Sequence, residues 1–395
     1  MTTDVRIRPA LADAALRLPR SGIREIMERA TGPDVIHLEV GEPDFATPAH
    51  IVEAAAAAAR EGQTKYTSAR GTAVLRDAIV ARLERDRGMA VTPEAVMVTP
   101  GGGTALLLAY LGIVDPGDEV LIPDPGWPNT ESQVLLAGGV PVRYPLRRER
   151  GFEPDLDVLE GLLGRPNVRA LYLNSPGNPT GAVIDGETVA AIVALCARHG
   201  RWVVSDECYE EIRFGVPLAS PLHSGWERTI GAFSLSKTYA MTGWRVGYLV
   251  APPELIEVTA KTGEVVVSCA SAISQAAAEA ALSGPQDAVS EMVASYRRRR
   301  DLVVPLLRDA GLLAAVPQGA FYTLVDVTSS GMSSRAFALD LLEHTRVATA
   351  PGDTFGPHAE GFVRISLATR EDLLVQGVRR LVEHVRSIAA GGSSS

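Results

Sequence analysis

Thr229-Ile230-Gly231-Ala232-Phe233-Ser234-Leu235-Ser236-Lys237-Thr238 begins as an apolar run and closes on hydroxyls and an amine. The run does not alternate apolar with polar residues, as a strand buried on both faces does not. Lys237 is one of only three lysines, with Lys65 and Lys261, among 38 basic residues. Arginine can replace lysine on a wet surface. It cannot replace a nucleophilic amine, because guanidinium keeps its proton and forms no bond to a carbonyl carbon. Lys237 therefore reads as a reactive amine at the end of a buried strand.

Similar runs lie upstream and downstream. The spacing predicts strands over 95–99, 119–123, 168–174, 202–206, 229–235 and 246–250, with helices such as 104–114 and 187–199 between them. That alternation points to an α/β fold with a mostly parallel sheet flanked by helices. Four runs end on polar groups: Asp124, Asn174, Asp206, and Ser234 through Lys237. Open α/β sheets bind ligands beyond the carboxyl ends of their strands, so these groups are expected to meet at one edge. From about Pro285 a long charged helix, 286–307, precedes strand-like pieces at 319–327 and 361–367, which suggests a separate α+β lobe.

The 395 residues suffice for one large unit and a smaller one, and 46% hydrophobic with 22% charged content is ordinary for a globular chain. No apolar run approaches the roughly 20 residues that span a bilayer, and 1–20 lacks a signal-peptide core, so no membrane partner is expected. Cys196, Cys208 and Cys269 are widely spaced and odd in number, which favours a reducing cytoplasm over a disulfide framework. A formal charge of −9 argues against nucleic acid. The arginine run 297–300 is read as a solvated helix surface. The alanine-rich 54–59 sits in a helix that Thr47 can cap, Pro48 can start and Gly62 can end. Residues 391–395 read as a flexible tail.

Gly101-Gly102-Gly103-Thr104 separates a strand from a helix, where backbone N–H groups can cradle a phosphate. It matches neither a Walker loop nor the Rossmann spacing, and a plain turn is an equal reading. Arg245 can fork onto a phosphate and Ser234 can donate a hydroxyl to it. Asp206 at a strand end needs a cationic partner, such as a protonated pyridine nitrogen. Tyr209 and Asn178 can bond a ring oxygen. Together these groups match the needs of pyridoxal 5′-phosphate, which requires a lysine and an acid for its ring nitrogen. Singly, Asn178 can merely build a turn, Trp127 can be a core aromatic, Arg364 a surface pair and Tyr66 a packing residue.

The chain resembles the fold-type I, class I/II pyridoxal-phosphate aminotransferases of the aspartate aminotransferase superfamily over nearly its whole length. The matching segments are Gly41-Glu42-Pro43-Asp44-Phe45, Lys65-Tyr66, Asn174-Ser175-Pro176-Gly177-Asn178-Pro179-Thr180-Gly181, Ser205-Asp206-Glu207-Cys208-Tyr209, Ser234 to Lys237 with Met241 to Gly247, Gly319-Ala320-Phe321-Tyr322, and Phe362-Val363-Arg364-Ile365-Ser366. The resemblance implies a seven-stranded sheet in a large unit, 46–284, and a small unit from 1–45 and 285–395. It implies that Lys237 bonds the cofactor and moves the substrate proton, and that Asp206 holds the ring nitrogen. Tyr209 and Asn178 are implied at the ring oxygen, and Trp127 on the ring face. Gly102, Gly103, Ser234 and Arg245 are implied at the phosphate, with Tyr66 from a partner subunit, hence a homodimer. Arg364 and Gly41 are implied at the substrate carboxylate, to which Asn178 and Trp127 lie close.

Dicarboxylate-preferring relatives carry a second cation, either a phosphate-loop lysine where this chain has Gly103, or a partner arginine from a stretch that here, at 264–272, has neither Lys nor Arg. The expected function is ping-pong amino transfer from a neutral, aromatic, aliphatic or broad set of L-amino acids to 2-oxoglutarate or pyruvate. The alternatives are an aspartate-specific enzyme using Arg20 or Arg24, another reaction on the same cofactor such as β-elimination or decarboxylation, and a cofactor-binding regulator.

Overall fold

The computed structural model of this chain describes residues 11–392. Its largest sheet contains β1 (Val96–Thr99), β2 (Glu119–Asp124), β3 (Val140–Pro145), β4 (Val168–Asn174), β5 (Trp202–Asp206), β6 (Thr229–Ser234) and β7 (Gly247–Val250). Their order across the sheet is β1-β7-β6-β5-β4-β2-β3. Strands β2 through β6 run parallel, and β7 is antiparallel to both β1 and β6.

The missing alternation has a direct cause. Successive side chains of a strand point to opposite faces, and here each face meets its own apolar core. Ala170 and Tyr172 of β4 join Val204, Ile230 and Leu249 in a core with helix Gly102–Ile113. Leu171 and Leu173 point the other way, into a core with Val203 and helix Gly186–Arg198. Each fully buried Leu or Ile in these layers contributes about 1.5–3 kcal/mol. The sheet is thus a fixed platform whose carboxyl edge carries the chemistry.

A second sheet contains β8 (Tyr322–Asp326), β9 (Ala350–Pro351) and β10 (Phe362–Ser366), ordered β9-β10-β8 and antiparallel throughout. Arg364 stands opposite Leu324 on one side and Ala350 on the other. Helices Asp287–Asp309 and Glu371–Gly392 share the core around this sheet, and Ile36–His37 pairs in parallel with Val347–Ala348. Among the described residues no helix is long and apolar enough to cross a membrane.

Several expectations need correction. β3 was not expected, because this edge strand half-exposes its residues and carries Pro141 and Pro145. The 297–300 run is not wholly solvated: Arg299 is buried and forks onto Asp44 at 2.8 Å through both terminal nitrogens, and Arg300 lies over the Phe214 ring. Thr47 does not cap helix Ala49–Arg60. Its hydroxyl donates to the Ala240 carbonyl at 2.6 Å instead. The last helix continues through Gly392, so the tail's first two glycines are helical, and residues 1–10 and 393–395 lie outside the described residues.

Candidate active site

β6 ends at Ser234, whose hydroxyl accepts the Ser236 N–H at 3.2 Å and starts the short helix Leu235–Thr238. That turn swings Lys237 over the carboxyl edge of the sheet. Its Nζ donates to the Gly41 carbonyl at 2.7 Å. Gly41 can come this close only as glycine, since a Cβ there would land on the Tyr322 hydroxyl. Burial pulls the Lys237 amine below its ordinary range, which favours the neutral form.

Asp206 closes β5 and is almost wholly buried. Tyr172 Oη donates to its Oδ2 at 2.9 Å, and the Cys208 N–H donates to its Oδ1 at 3.1 Å. Burial raises the carboxyl to about 6, against the lowering effect of those two bonds, and Glu207 nearby raises it further. Asp206 has no ion-pair partner among the described residues. Beside it, Asn174 Nδ2 donates to the Asp206 carbonyl at 3.2 Å, and Asn174 Oδ1 accepts the Asn178 N–H at 2.9 Å.

Arg364 reaches the same place from the second sheet. Its Nη1 donates to Asn178 Oδ1 at 3.0 Å and its Nη2 to the Glu39 carbonyl. The guanidinium lies 4.2 Å from the Tyr322 ring centre and 4.9 Å from that of Phe355. Its Nε is buried without a partner. The Tyr209 and Tyr322 hydroxyls are 2.9 Å apart, and burial keeps both phenols protonated.

Helix Gly102–Ile113 points its N-terminus at this edge, where free N–H groups and the helix dipole favour an anion. Gly101, at φ +83°, sets the turn, and a Cβ there would come within 2.5 Å of Arg245 Nη2. A Cβ on Gly102 would meet Ser234 Cβ at 2.9 Å. Arg245, itself at φ +52°, is anchored by its Nη1 on the Thr242 carbonyl at 2.9 Å. One cavity of about 380 Å³ contacts Lys237, Asp206, Arg364, Asn178, Tyr209, Ser234, Arg245, Gly41, Gly102, Gly103 and Trp127.

Tyr66, expected from a partner subunit, is 90% exposed and does not border the cavity of its own chain. One expected group is elsewhere. Asp124 turns from the edge to accept the His358 backbone N–H and ring nitrogen, both at 3.0 Å. Conversely, Tyr172 and Tyr322 received no role from the sequence, because the groups they meet come from segments distant in the chain. Gln133, whose Nε2 donates to the Gly103 carbonyl at 2.8 Å, and the apolar pair Ile23 and Met27 also border the cavity unforeseen.

The family model of aminotransferase class I and II matches residues 33–381. The chain belongs to that family. This aminotransferase is 39% identical to an aspartate aminotransferase of Pyrococcus horikoshii over 94% of its own length and 96% of the relative's. A solved Thermus thermophilus aspartate aminotransferase, crystallised with maleate, superposes with a TM-score of 0.92 at 36% identity, covering 95% and 100% of the two chains. An aromatic aminotransferase of P. horikoshii superposes with a TM-score of 0.86 at 37% identity, covering 92% and 99%.

The aminotransferase is a pyridoxal-phosphate-dependent transaminase. The relatives it matches are named aminotransferases, which supports transamination. The aminotransferase's own donors suit the cofactor. A buried acid without a cation waits beside a phenol, an arginine and a glycine-lined helix end face an anion, and a lysine with a lowered pKa sits between them.

Proposed function

We propose that this transaminase moves the amino group of a neutral, aromatic or aliphatic L-amino acid to 2-oxoglutarate or pyruvate, using the residues that line the cavity. The single observation carrying this reading is the convergence of Lys237, Asp206 and Arg364 on one cavity. When bound, pyridoxal phosphate supplies an aldehyde carbon that takes up the amino group and a ring that accepts the electrons freed at the substrate Cα. Asp206 would hold the positive ring nitrogen, whose charge would favour the ionised carboxylate that burial now disfavours. Tyr209 and Asn178 hold the ring oxygen, and Trp127 covers the ring. Gly102, Gly103, Ser234 and Arg245 bind the phosphate through N–H, hydroxyl and guanidinium donors. Arg364, with Gly41, grips the substrate carboxylate and fixes the Cα–H bond relative to Lys237. Lys237, whose amine burial pulls below its ordinary range, would be the base placed to take up that proton and hold it for return.

Donor preference rests on what surrounds these groups. The cations on the cavity wall are Lys237, Arg245 and Arg364, each with a role already; Ile23, Met27, Leu106 and Trp127 leave an apolar outer wall. A second reading, aspartate as donor, is supported by the names of the relatives and by Arg24, which lies on the helix Gly22–Arg29 that supplies Ile23 and Met27. Comparing kcat/KM for phenylalanine, leucine and aspartate against 2-oxoglutarate separates the two. A tenfold or greater preference for aspartate, lost in Arg24→Ala or Arg20→Ala, establishes the second reading instead.

A homodimer is part of the same proposal. Tyr66 at 90% and Val265 at 88% exposure are large side chains left bare, and Tyr66 reaches a phosphate only from a second copy. A large unit of 46–284 and a small one of 1–45 with 285–395 are supported by the second sheet falling wholly after 285 and by the pairing of Ile36–His37 with Val347–Ala348, and a cytoplasmic location is proposed from the sparse, odd cysteines. Sedimentation of a fully active monomer would contradict the dimer.

A further inference from the structure

Far along the chain from the cofactor residues, helix Ser334–Thr345 and the last helix, Glu371–Gly392, pack together and bring three donors to one spot. Asp340 and His344 are four residues apart, so they share one face of the first helix. His384 faces them from the second. His384 Nε2 lies 2.6 Å from Asp340 Oδ2, and His344 Nδ1 lies 3.3 Å from Asp340 Oδ1. The two imidazole rings are stacked with centres 5.8 Å apart. One ligand atom from each residue falls within 4.8 Å of the others.

We propose that Asp340, His344 and His384 form a binding site for a transition-metal dication of the zinc type. Zinc bonds of about 2.0–2.2 Å in a tetrahedral arrangement place neighbouring donors roughly 3.3 Å apart. The pair His384 Nε2 and Asp340 Oδ2 needs to open by about 0.7 Å for those bond lengths, and the exposed His344 ring, whose Nδ1 now donates to the Asp340 backbone carbonyl at 2.9 Å, turns or offers its other nitrogen to join them. Two imidazoles and a carboxylate suit zinc, nickel, cobalt or copper, whereas calcium and magnesium seek all-oxygen shells. The site has a built side and an open side. The His384 ring is nearly buried and rests 5.9 Å from the Phe337 ring, which restricts its rotation, while the His344 side chain is 60% exposed. The metal therefore enters past His344, with a water as its fourth ligand. Arg380, one turn before His384 on the second helix, is occupied, since its Nη1 donates to the Thr345 carbonyl at 3.0 Å. None of the three ligands borders the cofactor cavity, so the metal staples two helices and takes no part in amino transfer.

The test uses the cofactor-loaded enzyme, freed of metal with a chelator and titrated with zinc sulfate against a chromophoric chelator. The expected result is one equivalent of zinc per chain, weakened at least ~10-fold by His344→Ala and by Asp340→Asn. Zinc should raise the unfolding midpoint of the parent protein but not of either variant. Both variants keep parental transaminase activity without metal, which shows that they fold. No saturable equivalent in the parent, or parental zinc affinity in either variant, overturns the proposal.

Discussion

Tyr172 donates its phenol hydrogen to Asp206 Oδ2 at 2.9 Å, from one parallel strand to the next. The bond favours the ionised acid, the form that can hold a cationic ring nitrogen. Tyr172→Phe removes it and leaves the shape of the layer intact. A hydrogen bond to a charged group contributes about 1.5–3 kcal/mol, so cofactor affinity should fall roughly 10- to 100-fold. Absorbance titration of the cofactor-free variant with pyridoxal phosphate measures this, and unchanged affinity would show that Tyr172 only packs.

Asp206 also sets a pH dependence in the cofactor-free protein. Burial raises its folded pKa from 3.8 to about 6. Between those values the folded state holds a proton that the unfolded state has released, so stability falls as pH rises through this window. The cost is complete above about pH 6 and amounts to about 3 kcal/mol. Cofactor-free Asp206→Asn should therefore be more stable than the parent at pH 7, with the advantage fading towards pH 4. Denaturant melts at both pH values decide it; a constant difference would rule out titration of Asp206 as its cause.

Gly101 combines φ +83° with a close approach to Arg245. An alanine there, at ψ 165° in an extended positive-φ region open essentially to glycine, meets backbone strain of about 1–3 kcal/mol and pushes the guanidinium aside. Gly101→Ala should weaken inorganic phosphate as a competitor of the cofactor while leaving the fold intact by circular dichroism. Retained phosphate affinity would place the anion elsewhere.

Arg299 ties the stretch Gly41 to Phe45 to the long helix Asp287–Asp309, through Asp44 and a 5.1 Å stack on Phe45. Breaking such a buried pair costs about 3 kcal/mol, because one charge is left unpaired. Arg299→Ala should lower the unfolding midpoint and, by loosening Gly41, raise the KM for amino acid. A midpoint equal to the parent's would return Arg299 to the solvated surface first expected.

The buried strands were legible because residues facing two cores leave long apolar runs, and because Asp206 and Ser234 end those runs abruptly. β3 was not, since an edge strand with two prolines looks like a loop. Lys237, Asp206, Ser234 and Arg245 were legible as chemistry that a core would not choose, whereas Arg364 by itself read as a surface pair and took its role only from the family resemblance. Their supports were not legible. Tyr172 looks like any core aromatic until its register beside β5 is known, and Arg299 looks solvated until Asp44 is found beside it across more than 250 residues. Asp124 had the right chemistry at a strand end, but the paired turn at His358 captured it. The wall formed by Ile23 and Met27 required knowing where a distant helix folds back.

The central claim is that the Lys237 amine is the group that bonds the cofactor and moves the proton. Borohydride reduction of the cofactor-loaded protein, followed by peptide mass mapping, tests it directly. The account predicts a single reduced pyridoxyl label on the peptide containing Lys237, and none in Lys237→Ala. A label on Lys65 or Lys261 in its place, or an unlabelled protein that still turns over amino acid and 2-oxo acid, would contradict it.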